Sequence, residues 1–225
     1  NGRIIEEPMP AGIVSPQGKK IYMIAFVIGI GIPLGIIFLL NLLRFRIEGH
    51  TDVEKLTKVP IIGDIPLTGS NKHEESAIAV RENDNDIMTE TFRSLRTNLL
   101  FMMGDPDKKV VLITSTISGE GKTFIASNLA LSLALLGKKV ILVGLDIRKP
   151  GLNKLFHLSH KEKGITQYLA APKSTDLHAL IQPSGITSNL DLLLGGPIPP
   201  NPTELLARQS LEDTISTLRK EYDYI

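Results

Sequence analysis

The chain has 225 residues, 42% of them apolar and 5% aromatic, with a formal net charge of +1. This is the composition of a folded protein rather than of a disordered or fibrous one. Cysteine is absent, which excludes disulfides and cysteine-based metal or redox sites. Opening on Asn1 and closing on the strand-like "EYDYI", the chain reads as a fragment of a longer protein.

Residues 1–20 are marked by proline ("EEPMPAGIVSPQG") and are expected to be extended. "IYMIAFVIGIGIPLGIIFLLNLL" follows, 23 uncharged residues from Ile21 to Leu43, with Lys19 and Lys20 before it and Arg44 and Arg46 after it. As a helix it would reach roughly 34 Å, against a hydrocarbon core of about 30 Å, so it is expected to span a membrane. Pro33, among Gly29, Gly31 and Gly35, is tolerated in lipid when neighbouring helices re-satisfy the backbone, which favours assembly with other spans. Basic residues flank the span on both sides, so charge alone does not orient it. Beyond residue 20 the chain holds 22 basic and 22 acidic residues. A neutral domain without a basic stripe argues against nucleic acid as the main partner.

Residues 44–86 read as a linker with some structure: a short helix at "TDVEKLTKV", a short strand at "PIIGDIPL" and a loop at "TGSNKHEES". A longer helix opens at Asp86, with Met88, Phe92, Leu95 and Leu99 on one face. Glu90 and Arg93 fall on the opposite face and Arg96 at its flank. "KVVLITS" then reads as a buried strand, Lys122 to Leu136 as a helix capped at Gly137, and "KVILVGL" as a second buried strand. Two apolar strands joined by a helix make a βαβ unit, hence a parallel sheet covered on both faces. Short helices at "GLNKLF" and "GITQYLA", a third strand at "NLDLLLGG", one or two helices over "NPTELLARQSLEDTISTLRKEY" and a fourth strand at "DYI" complete an α/β, doubly wound parallel sheet.

The chemistry lies in "TSTISGEGKTF", where the first strand meets its helix. Gly119, Gly121, Lys122 and Thr123 match the end of the phosphate-binding loop GxxxxGK[ST], with Thr116 in place of the first glycine. Glycines let the backbone amides of Ser118, Gly119, Glu120 and Gly121 turn inward around phosphate, and the helix N-terminus adds its positive dipole end. Lys122 would reach the β and γ phosphates of ATP and Thr123 would hold Mg²⁺. Asp146 closes the second strand, where strand ends open into the phosphate crevice. It is a candidate for the metal's water shell or for accepting a hydroxyl proton, the alternative being a helix N-cap or a partner for Arg148.

Four stretches carry a resemblance across nearly the whole chain: "EEPMPAGIVSP", "ETFRSLRTNL" with its ExxRxxR pattern at Glu90, Arg93 and Arg96, "SGEGKT" with "VGLDIRKP", and "LLLGGPIPPNPTELL". Together they resemble the bacterial tyrosine kinases (BY-kinases) of capsular and exopolysaccharide chain-length control, Wzc-like polysaccharide co-polymerases. The resemblance implies a P-loop tyrosine kinase domain at 87–225, continuing past Ile225 to a Walker B strand and a tyrosine tail. It implies a linker at 44–86, an inner-membrane helix at 21–43 and a periplasmic segment at 1–20 that continues a domain upstream. ATP and Mg²⁺ are the implied cofactors, with Lys122 and Asp146 catalytic and Thr123 and Asp146 at the metal. Glu90, Arg93 and Arg96 are implied in a homo-oligomer that phosphorylates its own tyrosines in trans, alongside polysaccharide polymerase and export machinery. Where that family ends its strand with Asp-x-Asp, this chain has Gly144, which leaves transfer resting on Asp146 and the unseen Walker B aspartate. The expected function is an ATP-dependent tyrosine autokinase. Alternatives are a hydrolysing ATPase, a non-catalytic assembly subunit, or a MinD/ParA-like partition ATPase, the last disfavoured by the span and by Ile117 where partition loops carry lysine. Tyr168, Tyr222 and Tyr224 read as packing residues.

Overall fold

The computed structural model describes residues 17–43, 47, 49–66, 78–82, 84–105, 107–158 and 163–225. The expected extended segment before residue 17 and the loop at 68–76 lie outside these residues. The chain divides into two compact units, Asn1–Ile61 and Ile62–Ile225.

In the first unit, helix α1 runs over Gly18–Leu42 with Pro33 inside it and no buried residue. An exposed apolar surface of this extent has no place in water, and the helix is long and apolar enough to cross a membrane. Helix α2 follows at His50–Leu56, overlapping the stretch 51–59 expected to be helical.

The second unit is organised by a sheet. Helix α3 spans Ile87–Met103, its first turn closed by the Asp86 carboxylate, which accepts the Thr89 N–H at 2.7 Å. Met88, Phe92 and Leu95 are buried along one face, as the apolar spacing predicts. Helix α4 covers Lys122–Ala134, and every residue from Ser127 to Ala134 is buried, so it is fixed by packing far more than by propensity. Strand β1 is Val140–Val143, followed by the short helices α5 at Leu152–Leu155 and α6 at Ile165–Ala170. Strands β2 at Ile181–Pro183 and β3 at Leu190–Leu193 come next, then helices α7 at Pro202–Leu206 and α8 at Gln209–Glu221.

β1 pairs with β3 in parallel, Val140 opposite Leu190 and Val143 opposite Leu193. The period-2 alternation sends Val140, Leu190, Leu192 and Leu194 into a core with α3 and α4. It sends Ile141 and Leu193 into a second core with α6, α8 and Ile165. The sheet is therefore covered on both faces, the reason for its continuous apolar strands.

Three expectations need correction. "PIIGDIPL" forms no strand over its described residues 60–66; Ile62 and Ile65 instead pack against the first core. Strand β2 was not foreseen and runs antiparallel to β3, so the sheet is mixed at one edge. Its sequence, "IQP", has too few apolar positions to carry a periodic signal.

The third correction concerns "KVVLITS" and its neighbour. Residues 109–115 are extended without forming a regular strand, and their described ladder bonds are two: Val111 N–H to the Ile225 carbonyl at 2.9 Å and Ile225 N–H to the Lys109 carbonyl at 2.8 Å. On the other side of this tail, Tyr224 bridges Val140 in parallel. Tyr224–Ile225 thus lies between the phosphate-loop segment and β1, which are not adjacent as the sequence suggests. Val110 and Leu112 point outward and Leu112 is 77% exposed, where a fully buried strand was expected.

Gly164, at the start of α6, shows how tightly one turn is built. A Cβ there would stand 2.4 Å from both the Gly196 nitrogen and the Leu194 carbonyl oxygen. Its backbone is extended, so the constraint is space rather than conformation. Gly164→Ala is expected to lower the unfolding free energy by about 1 to 3 kcal/mol, the range of overpacked sites. Urea denaturation with an unchanged slope would measure it, and an unshifted midpoint would refute the tight packing.

Candidate functional site

The first turn of α4 sets the site. Gly119 and Gly121 hold φ of 97° and 88°, left-handed values that a side-chain-bearing residue rarely adopts, and they bend the chain so that Gly121 caps α4. Thr116 is not among the residues with positive φ, which explains why the loop accepts threonine where the pattern has glycine.

Lys122 and Thr123 follow at the helix start, beside a groove of about 510 Å³ that also takes in Gly144, Asp146, Gly151 and Gly195. Lys122 Nζ lies 3.2 Å from Asp146 Oδ2, the two side chains 29% and 37% exposed. So the structure brings together Lys122, Thr123 and Asp146, although their segments are separated in the sheet by Tyr224–Ile225. A pair this exposed contributes about 0 to 1 kcal/mol to stability. Its significance is positional.

Asp146 does two things at once. Oδ1 accepts the Lys149 N–H at 3.0 Å, closing a turn rather than capping a helix, since the next helix begins at Leu152, while Oδ2 faces Lys122. It does not pair with Arg148, whose Nη2 donates instead to Thr203 Oγ1 at 2.8 Å. That bond ties the turn after β1 to the start of α7 and was not foreseen. Its only sequence trace is the shared motif context of "DIRKP" and "NPTELL".

Gly144 occupies a crowded position. A Cβ on it would lie 3.0 Å from the Gly195 nitrogen and 3.1 Å from Leu152 Cδ1. A carboxylate at residue 144 would therefore have to displace the Gly195 turn or Leu152 by a few tenths of an ångström. The 144 and 195 backbones thus approach closely at the position where the resemblance implies an aspartate.

Glu120 has its side chain engaged within the loop, which leaves its backbone amide for the expected part at phosphate. Its carboxylate folds back to accept the N–H groups of Thr116 at 2.9 Å and Ile117 at 3.2 Å. A carboxylate repels phosphate, so what Glu120 can offer an anion is its backbone amide. The side chain closes the loop at its Thr116 end. Ser118 and Gly119 are exposed at the loop's crest.

The Glu90, Arg93 and Arg96 set divides. Glu90 and Arg93 pair on the exposed face, Arg93 also reaching the Asp84 carbonyl at 3.2 Å. Arg96 turns inward and donates to the Ser132 carbonyl of α4 at 2.6 Å. Burial, and then the charge of Arg93, pushes its pKa below the ordinary arginine value, yet guanidinium remains charged. Arg96 is thus engaged, through one guanidinium nitrogen, within its own chain.

Among the described residues no group of three or more His, Cys, Asp or Glu could hold a metal by itself. The donors present, a threonine hydroxyl and one carboxylate beside glycine-lined amides, suit Mg²⁺, which binds through one or two carboxylates and the phosphates of its nucleotide while keeping several waters. The residues fit a metal carried with a nucleotide.

Residues 111–224 match the family of CobQ/CobB/MinD/ParA nucleotide binding domains. A Klebsiella pneumoniae relative whose name places a tyrosine-protein kinase in a cps region is 30% identical over 225 residues, covering 94% of this chain and 30% of that one. The tyrosine-protein kinase YwqD of Bacillus subtilis is 36% identical over 155 residues, 69% of this chain and 63% of its own length. Among solved structures, the kinase domain of the Escherichia coli tyrosine kinase ETK superposes with a TM-score of 0.69 at 29% identity, covering 80% of this chain and 71% of that one. The chain spans about a third of the length of the Klebsiella relative.

If Glu120 shapes the loop, Glu120→Ala should speed amide hydrogen exchange at Thr116 and Ile117 roughly fivefold, as expected for hydrogen bonds worth about 1 kcal/mol. Glu120→Gln, which keeps an acceptor, should not. Equal exchange in all three proteins would refute the part assigned to this carboxylate.

Proposed function

Because the chain belongs to the CobQ/CobB/MinD/ParA nucleotide-binding family, and within it to the Wzc-like bacterial tyrosine kinases, we propose that it binds ATP with Mg²⁺ and acts as a membrane-anchored tyrosine autokinase in capsular or exopolysaccharide chain-length control. The observation that carries this reading is the meeting of Lys122 and Asp146 at 3.2 Å beside Thr123.

The loop amides and the N-terminus of α4 receive the phosphates. Lys122, now held by Asp146, turns to the β and γ phosphates, which frees the carboxylate. Asp146 then accepts the proton of an attacking tyrosine hydroxyl; were Mg²⁺ bound, Thr123 would hold it and Asp146 would order its water shell. The hydroxyl oxygen bonds to the γ-phosphorus as the bond to the β-phosphate oxygen breaks, and ADP leaves. Mg²⁺, when bound, neutralises charge on the phosphates.

The acceptor tyrosine belongs to a neighbouring subunit. Tyr222 is buried with its hydroxyl donating to Asp191 at 2.8 Å, and Tyr224 sits in the sheet, so neither is offered for transfer. Burial, then the bond to Asp191, raises the Tyr222 pKa, consistent with a structural part. Residues 87–225 form the kinase domain and 44–86 the linker, with the catalytic part cytoplasmic, residues 21–43 in the bacterial inner membrane and 1–20 periplasmic. The polymerase and export machinery are the partners.

The crowding at Gly144 favours a second reading, a nucleotide-binding assembly subunit with weak transfer. Phosphotyrosine formation with ATP and Mg²⁺ separates the two. The kinase reading expects signal in wild type and a loss of roughly a hundredfold or more in Lys122→Met and Asp146→Asn, the size of a lost charge-stabilising group. Absence of signal in a wild type that binds nucleotide selects the second reading, and signal surviving Lys122→Met overturns the site.

The helix motif yields a separate expectation. Arg93→Ala should lower the mass of the assembly by light scattering. Arg96→Ala should instead lower thermal stability, by about 1 kcal/mol for a partly exposed charge-assisted bond. Equal effects of both variants on assembly mass would refute the division of labour.

A further inference from the structure

Asn128 is fully buried on α4, and its amide oxygen accepts two successive backbone N–H groups, Ala79 at 2.7 Å and Val80 at 3.0 Å. Its Nδ2 donates to the Phe124 carbonyl at 2.9 Å, in the turn that begins with Lys122 and Thr123. Residues 78–80 form no regular strand, although Val80 is 2% exposed. Buried amides must be paired, and here one side chain pairs two of them.

A second contact leads to the same turn. Phe92 of α3, wholly buried, stacks edge-on against Phe124 with ring centroids 5.8 Å apart. The residues that carry the phosphate chemistry are thus braced through Phe124, by α3 on one side and by the 78–80 strap through Asn128. In sequence, the strap lies in the linker, a few residues before the helix α3 that opens the domain.

We propose that Asn128 is a positioning residue: by pinning residues 78–80 to the first turn of α4, it holds Lys122 and Thr123 in their binding geometry and couples the linker to the nucleotide site. The proposal rests on the nucleotide reading above. The coupling is reciprocal, so nucleotide binding tightens the strap just as the strap favours nucleotide. A displacement of about 1 Å in a positioned group can cost up to a hundredfold, and the effect expected here is about tenfold.

The test uses the whole protein in detergent or nanodiscs, with a fluorescent ATP analogue and Mg²⁺ as the probe. Asn128→Ala, which removes the pairing to the strap and to the Phe124 carbonyl alike, should weaken binding about tenfold, within the range for a displaced positioned group. Ala79→Pro removes one strap donor without touching α4 and should also weaken binding, which keeps the test decisive if Asn128→Ala folds poorly. In wild type, nucleotide should slow amide exchange at Ala79 and Val80, a response that a merely structural asparagine would not produce. Wild-type affinity in both Asn128→Ala and Ala79→Pro, or exchange at the strap indifferent to nucleotide, overturns the coupling. No binding by wild type overturns the nucleotide reading, and the coupling with it.

Discussion

The burial of α4 is the constraint on which the second unit depends. Its last two turns are enclosed by the sheet on one side and α3 on the other, with Leu131 and Ala134 wholly inaccessible. A helix held so firmly at one end projects its other end at a fixed place and angle. That projecting end carries Lys122 and Thr123, and the dipole leaves it partially positive. Packing energy far from the chemistry thereby fixes the position of the groups that would perform it. Ser132 is buried on the same helix and turns its hydroxyl to the Phe92 carbonyl at 3.4 Å, so this polar position also serves the contact with α3.

The site balances few charges. Lys122 and Asp146 satisfy one another at rest, Glu120 is consumed by its own loop, and Arg148 is tied to Thr203. A polyanionic ligand with a divalent cation would rearrange the first pair and leave the other two undisturbed. The exchange of partners at Lys122 is local, needing a side-chain rotation rather than a backbone movement. Gly144 and Gly195 meanwhile bring two backbones together where a carboxylate would stand, so the pocket is tighter and less negative than an Asp-x-Asp site.

Much of this was legible from residues alone, for identifiable reasons. The apolar run of α1, the spacing of Met88, Phe92 and Leu95, and the glycine-lysine-threonine junction all report on their own neighbourhood. The short strand at "IQP", the insertion of Tyr224–Ile225 between two strands and the inward turn of Arg96 depend on partners many residues away. Periodicity places Arg96 on the flank of α3 but cannot say that the Ser132 carbonyl waits there. Asn128 was invisible for the same reason: its two strap partners lie nearly fifty positions earlier, outside any repeating pattern. At Gly144 the sequence revealed a missing carboxylate, and only the structure supplies the crowding that accompanies it.

The two margins of the sheet differ in how they receive other chains. The β2 margin is three residues long and ends on Pro183, which lacks a backbone donor, so it is a poor template for a further strand. Residues 109–115 offer the opposite: an extended backbone whose described ladder bonds go only to Ile225, flanked by outward-facing Val110 and Leu112. Growth of the sheet, whether by the protein's own chain or by a stray one, is therefore directional. The margin that adjoins the phosphate loop is the one whose extended backbone can accept a further strand, so what pairs there bears on the nucleotide site as well as on the sheet.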